Sequence, residues 1–359
     1  MTEKELKKIL AQIKPLDRDF FKKAQTRLDN LTKPQGSLGR LEEIAARMVA
    51  ITEELRPQVA SKRMYVFAGD HGVEEMGVSL FPREVTAQMV FNFLQGGAGI
   101  NVLARQVGAE VQVVDIGVDH DFQGISGLID RKIARGTRNL AQGPAMSRKQ
   151  AIQSLAVGIE LARAARRDGV SLLGCGEMGI ANTTPSSAIT AVMTGESLEK
   201  ITGKGTGIDP ERWRKKVQII RQAIRKNRPN RKDPIDVLAK VGGFEIGGIA
   251  GLILGAASLR VPIVIDGFIS GAGALIATGL SPRAGEYIFA SHQSAEPGHR
   301  AILKHLKKRP FLELDLRLGE GTGAALGMGL VEAAVRILNE MAAFGEAKVT
   351  REVNQDNNN

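Results

Sequence analysis

The 359-residue chain is poor in aromatic side chains. Phe, Trp and Tyr together make up 4%, with one tryptophan and two tyrosines. Its core must therefore be built from Leu, Ile, Val, Ala and Met. The single cysteine, Cys175, excludes an intramolecular disulfide and fits a reducing compartment. No apolar run approaches the roughly 20 residues needed to span a bilayer. The N-terminal stretch MTEKELKKIL carries acids and lacks an apolar signal core. These absences predict a soluble, cytoplasmic protein without membrane association.

Cofactor fingerprints are missing too. Gly271-Ala272-Gly273 and Gly321-Thr322-Gly323 both lack the third glycine of GxGxxG, and Gly205 stands where a P-loop needs Ser or Thr after Gly203-Lys204. Val113 to Asp119, VVDIGVD, is only a loose echo of the two-acid signature of phosphoribosyl pyrophosphate users. His71, His292 and His299 have no zinc-type partner spacing. We therefore expect no metal ion and no ATP, NAD or other cofactor.

Glycine is abundant, with 41 residues, and 43% of the chain is apolar, enough for a large core. The length favours roughly two domains. The formal charge of +10 is partly concentrated in Arg212 to Lys232, RWRKKVQIIRQAIRKNRPNRK. Trp213, Val217, Ile220 and Ile224 form one helical stripe there, and cations fill the other faces. That pattern fits a solvated helix face. Nucleic-acid binding is the alternative, but no aromatics interleave for base stacking, so no nucleic-acid partner is expected. A third option is that one or two of these cations reach a small anionic substrate.

Residues 1–60 read as helical, with Leu41, Ile44, Ala45 and Met48 on one face and Ser37 as a candidate cap. From there to about residue 330, six short apolar runs alternate with helical stretches: Met64 to Ala68, Val111 to Ile116, Val170 to Leu173, Val261 to Ile265, Tyr287 to Ala290 and Phe311 to Leu318. The alternation predicts an α/β fold, a doubly wound, six-stranded and mainly parallel sheet covered on both faces. Residues 331–359 begin as a helix, expected to join the N-terminal helices in a small domain, and end in a polar tail, Asn354 to Asn359.

The residues trailing the runs are polar and glycine-flanked: Asp70-His71, Glu177, Asp266-Gly267, Ser291 to Ser294 and Glu320. The carboxyl edge of such a sheet is where ligands bind. Glu320, between Gly319 and Gly321 after what reads as a buried strand, is the leading candidate to move a proton. Glu177 would share the edge with it, and two carboxylates near one pocket can divide roles. Either one can also be read as a solvated turn residue. Thr184 and Pro185 suit the N-cap and first position of a helix, whose free N–H groups can hold phosphate. An ordinary capped helix is the other reading. Cys175 reads as a small buried residue.

Seven segments carry a family resemblance: KPQGSLGRLE (33–42), FAGDHGV (67–73), GGAGINVLA (96–104), GCGEMGIANTT (174–184), DGFISGAGAL (266–275), SHQSAEPGH (291–299) and LRLGEGTGAAL (316–326). Together they strongly resemble nicotinate-nucleotide–dimethylbenzimidazole phosphoribosyltransferases. The resemblance implies a homodimer with a Rossmann-like large domain, 61–330, and a small helical domain drawn from both chain ends. It implies transfer of phosphoribose from nicotinate mononucleotide to 5,6-dimethylbenzimidazole, giving α-ribazole 5'-phosphate, toward the lower ligand of cobalamin. By the same resemblance Glu320 is the general base. Glu177, Gly176, Asn182, Thr183 and Thr184 line the donor side, with Ser291 and Ser294 as further donor-site candidates. Lys216 lies near the phosphate, and Phe81 to Met89 walls the acceptor pocket. Phe81 and Met89 stand where polar residues can occur, so another benzimidazole, adenine or a phenolic base is an alternative acceptor. A non-catalytic nucleotide-binding regulator is the alternative from a different class.

Overall fold

The computed structural model describes residues 1–205 and 207–350. Six strands form one parallel sheet: β1 (Lys62–Gly69), β2 (Ala109–Gly117), β3 (Leu128–Asp130), β4 (Leu172–Met178), β5 (Ile263–Ile265) and β6 (Ile288–Ala290), in the order β3-β2-β1-β4-β5-β6. This is the strand order of a doubly wound Rossmann-type sheet, whose direction of winding reverses between β1 and β4. Every residue of β1 is buried, as a central strand covered on both faces requires.

Two strand assignments differ from expectation. The segment Phe311 to Leu318 is not a strand. It makes one bridge, Leu312 to His292, and five of its eight residues are exposed. Its leucines alternate with Glu, Asp and Arg, yet Leu314 and Leu318 are exposed along with the charged residues, and Asp315 at φ +53° interrupts the extended path. The sixth strand of the sheet is instead β3, three partly exposed residues on an edge. β4 also runs on through Gly174, Gly176 and Glu177, whose polarity and small size hide it from an apolar pattern.

Close backbone approach replaces aromatic packing. The helices Arg148–Arg167 and Phe244–Ser258 touch along glycines: a Cβ on Gly158 would lie 2.0 Å from the Gly248 carbonyl oxygen, and one on Gly251 would lie 2.0 Å from that of Leu155. Helices that meet this tightly bury apolar area and gain dispersion contacts without large side chains.

The chain divides into two compact units. The larger comprises Met1–Pro15 and Ala60–Met328 and contains the whole sheet. The first helix, Glu3–Gln12, therefore belongs to the larger unit rather than with the other N-terminal helices. Glu3 pairs with Arg148 at 2.8 Å, and the Tyr287 hydroxyl donates to the Lys14 carbonyl at 2.9 Å. The smaller unit comprises Leu16–Val59 and the chain from Gly329 onward. In it Leu31 bridges Ala343, and Arg27 donates to the Leu338 carbonyl. The two ends of the KPQGSLGRLE segment meet as a buried ion pair, Lys33 to Glu42 at 2.8 Å. The following helix starts at Arg40 with Gly39, not Ser37, at its N-cap. The polar tail expected at Asn354 to Asn359 lies outside the described residues. Among the described residues no helix is long and apolar enough to cross a membrane.

The glycine contact predicts a stability effect. Gly158→Ala should destabilise the protein by about 1–3 kcal/mol or more, the usual range for overpacking, because the added methyl meets backbone that cannot turn aside. Urea unfolding measures it, and a midpoint equal to wild type would contradict the close-contact account.

Candidate active site

A cavity of about 490 Å³ opens at the carboxyl ends of the central strands, in the larger unit. Its boundary includes Glu177 from β4, Asp266 and Gly267 beyond β5, His292 and Ser294 beyond β6, and Gly319 and Glu320. Winding reverses next to β4, so the loops on either side diverge and leave this space.

Glu320 occupies a turn of three consecutive left-handed residues: Gly319 at φ +84°, Glu320 at +62° and Gly321 at +100°. Glycine adopts this conformation readily, but glutamate does so at a cost of about 1–2 kcal/mol. The turn is locked from below. A Cβ on Gly176 would lie 2.0 Å from the Glu320 carbonyl oxygen, so β4 supports the turn only because residue 176 has no side chain. The carboxylate is held as well: Glu320 Oε2 accepts the Ile100 N–H at 3.0 Å, and the Gly99 N–H also bonds to it. Those amides begin the helix Gly99–Gln106, where free N–H groups and the helix dipole favour an anion. Burial nevertheless outweighs them and raises the Glu320 carboxyl above its ordinary value, with the Asp266 charge adding to the rise. The result is a carboxylate aimed into a cavity with heightened proton affinity, as general-base work needs.

Glu177 is buried deeper and accepts a hydrogen bond from the Asn182 side-chain amide. Burial raises its carboxyl well above the usual range, and the charges of Glu245, Asp266 and Glu320 push the same way. Two carboxyls with raised proton affinity, Glu177 further than Glu320, are the kind of divided pair that can hold a substrate with one carboxyl and move a proton with the other. Asp266 is also buried, with its carboxyl pushed up to about 7 by burial against the pull of several backbone N–H groups.

On one side the cavity is polar. Thr183, Gly205, Ser294, Glu296 and Arg317 line it. Lys216 stands directly behind, fully buried, donating from Nζ to Thr183 Oγ1 at 2.7 Å. Burial pushes its ammonium down to about 8, and the Glu296 charge opposes that, so it remains a cation at neutral pH. Its neighbours Arg212, Arg214, Lys215, Arg221, Arg225 and Lys226 on the same helix are all exposed. The basic run is thus a solvated face with one cation turned inward. The apolar part of the lining is Val78, Phe81, Val85, Met89, Met178 and Ile180.

Of the residues singled out from sequence, Glu320, Glu177, Asn182, Thr183, Ser294, Phe81 and Met89 border this cavity. Gly176, Thr184, Lys216 and Ser291 lie just behind it, all buried. Thr184 is not the helix cap. The helix is Thr183–Thr194 with Asn182 at the N-cap, and Thr184 and Pro185 fall within its first turn. Asn182 has helical dihedrals there and spends its side chain on Glu177, so it makes no capping bond. The histidines shape loops. His299 Nδ1 accepts the Ser294 N–H at 2.9 Å, and burial pushes His299 down to about 3 and His292 to about 4, which keeps both neutral. His71 Nε2 lies 2.9 Å from Glu245 Oε1, both fully buried. The Cys175 thiol is pushed up to about 12 by burial, which makes it inert. Sequence reasoning missed Glu296 and Arg317 in the cavity and the Gly99–Ile100 amides that hold Glu320. Glu296, Gly99 and Ile100 all lie in the segments that carry the family resemblance. Among the described residues, no group of three or more His, Cys, Asp or Glu side chains could hold a metal ion.

A phosphoribosyltransferase family model matches residues 13–349. The chain belongs to this family. A nicotinate-nucleotide–dimethylbenzimidazole phosphoribosyltransferase of Geobacter sulfurreducens is 61% identical over 344 residues, covering 96% of this chain and 98% of that one. One from Desulforudis audaxviator is 54% identical over 349 residues, covering 97% and 99%. The crystal structure of the Thermus thermophilus enzyme of the same name superposes with a TM-score of 0.89 at 45% identity, covering 94% of this chain and all of that one. That likeness covers the parallel sheet and its flanking helices.

The burial of Glu320 yields a direct expectation. Its carboxyl should titrate above the ordinary glutamate value of 4.5. Carbon-detected NMR of glutamate-labelled protein, compared with Glu320→Gln, would identify the resonance. Titration at or below 4.5 would contradict this reading of the site.

Proposed function

We propose that the protein transfers the phosphoribosyl group of nicotinate mononucleotide to 5,6-dimethylbenzimidazole, releasing nicotinate and α-ribazole 5'-phosphate for the lower-ligand nucleotide of cobalamin. The observation that carries this reading is the position of Glu320. A buried carboxylate with raised proton affinity lines a cavity that has both an apolar part and a polar, cation-backed part, in a chain 61% identical to a relative bearing that name. A flat, neutral aromatic base suits the wall of Phe81, Val85 and Met89. A sugar phosphate suits the side where Thr183, Ser294 and the buried Lys216 gather.

The chemistry follows from the substrates. One ring nitrogen of the base attacks the anomeric carbon from the face opposite nicotinate. The glycosidic bond breaks, and its electron pair returns to the pyridinium nitrogen, so the leaving ring departs uncharged. The other ring nitrogen of the attacking base becomes acidic as the new bond forms, and its proton passes to Glu320. Attack from the opposite face turns a β-nucleotide into an α-nucleotide. Holding both rings across one ribose makes the reaction effectively unimolecular, a contribution that can reach about 7–11 kcal/mol. Thr183, with Lys216 behind it, would hold the donor phosphate, and a protonated Glu177 with Asn182 would hold polar groups of the donor.

As part of the same reading, the active form is a cytoplasmic homodimer. Phe81 and Leu318 at the cavity boundary are 52% and 61% exposed, and apolar side chains this open are suited to cover by a second chain. Light scattering should then give twice the mass of 38.5 kDa, and a monomer at assay concentration would remove this part of the proposal.

The activity is tested by incubating the protein with both substrates and following α-ribazole phosphate. Glu320→Gln should lower kcat by about 10²–10⁴-fold, the usual worth of a general base, while the protein stays folded. The acid limb of kcat/KM should fall above the ordinary carboxylate range, because Glu320 must be ionised to act and burial raises its pKa. Normal turnover by the variant would exclude Glu320 as the base. No turnover by the wild type with any aromatic base, despite tight nucleotide binding, would favour a regulator on the same fold.

A further inference from the structure

The segment DGFISGAGAL supplies a part that the reaction described so far does not use. Its first residue, Asp266, follows β5 and is buried. Its carboxylate reaches across to the chain that carries Glu320. Oδ2 accepts the Gly321 N–H at 3.2 Å, and Oδ1 accepts the N–H groups of Gly323 at 2.8 Å and Ala324 at 3.2 Å. These are the residue directly after Glu320 and the first turn of the helix Thr322–Glu340. We propose that Asp266 is a positioning residue for the reaction: it clamps the amides beyond Glu320 and so keeps the left-handed turn, and with it the Glu320 carboxylate, in working geometry. The inference rests on reading Glu320 as the base.

Three observations favour a positioning role over simple helix capping. The turn is strained at a non-glycine residue, so something must hold it, and no side chain can do so from below because residue 176 is a glycine in contact with the turn. The Glu320 carboxylate is tied to Ile100 at its far end, so the backbone end is the free variable that Asp266 fixes. Finally, one Asp266 oxygen serves Gly321, outside the helix, while the other serves the helix itself. A one-oxygen cap could satisfy the helix but not the turn. Asparagine in its place would turn an amide N–H₂ toward one of these N–H groups, donor against donor.

The ionisable groups facing Asp266 are Glu320, Glu177 and Cys175, with His292 Nδ1 at 3.7 Å from Oδ1. His292 is neutral, so Asp266 has no cationic partner among them. Asp266, pushed up to about 7 by burial, is itself partly protonated at acid pH, so the split between kcat and KM reads its role.

The test compares Asp266→Asn, Asp266→Ser, Glu320→Gln and Ile276→Ala in the full-length protein. The last removes a fully buried side chain from the helix after Asp266, away from the cavity. We expect both Asp266 variants to lose about 10- to 100-fold in kcat, the scale of a small misplacement of a reacting group, with the KM for nicotinate mononucleotide nearly unchanged. Serine retains a cap for the helix, so Asp266→Ser reads the effect even where Asp266→Asn folds poorly. Ile276→Ala should lower thermal stability at least as much yet keep kcat within about twofold of wild type, since uncoupled distant sites act independently. Wild-type kcat in a folded Asp266 variant, or a loss no greater than that of Ile276→Ala, would overturn the inference while leaving Glu320 as the base. Full turnover by Glu320→Gln would overturn both.

Discussion

The contact on which the site depends is a carboxylate meeting the open start of a helix. Glu320 Oε2 accepts the Ile100 N–H, and this bond joins two distant parts of the chain across the carboxyl edge of the sheet. Several otherwise unrelated features follow from it. Residue 99 packs tightly against the same carboxylate: a Cβ there would lie 3.3 Å from that oxygen and 3.0 Å from the Leu318 side chain. Residue 176 must be glycine for the turn to seat on β4. Burial and helix dipole oppose each other at the carboxylate, burial prevails, and the proton affinity of the group is raised above that of an ordinary glutamate.

The same economy of small residues runs through the fold. A chain with few aromatics has only a few fully buried rings, Tyr65, Phe67, Phe244, Phe268 and Tyr287, to fill its core, and elsewhere its layers approach closely. Glycines at 158 and 251 let two helices touch backbone to backbone, and Gly174 makes room for the side chains of Met64 and Met328. Close approach also makes the site rigid, since a turn seated on bare backbone has little space to shift. Rigidity suits a reaction whose protein contribution is largely to hold two rings on opposite faces of one sugar.

Much of this was legible in the sequence, and the failures have physical causes. The alternation of apolar runs and helical stretches gave the α/β class because buried parallel strands need continuous apolar residues. The apolar pattern stops short of the end of β4 because its site-bearing half consists of Gly174, Cys175, Gly176 and Glu177. Leucines at every second position give Phe311 to Leu318 the pattern of a buried strand, yet it bonds to the end of β6 and the loop beyond, and most of it is exposed. Glu320 and Glu177 could be found from their glycine neighbours and their place after strands. Asp266 and Asn182 are legible as residues of the same sheet edge, but not their pairing with these carboxylates, and the Ile100 backbone N–H leaves no mark in sequence across a span of 220 residues.

The central claim is that Glu320 takes the proton of the attacking base. A crystal structure with 5,6-dimethylbenzimidazole bound tests it most directly, because it measures the distance from the Glu320 carboxylate to the ring nitrogen. The account predicts a hydrogen bond of about 2.6–3.2 Å, with the base against Phe81, Val85 and Met89 and its other nitrogen facing the polar side. A base bound with both nitrogens away from Glu320, or seated outside this cavity, would contradict it.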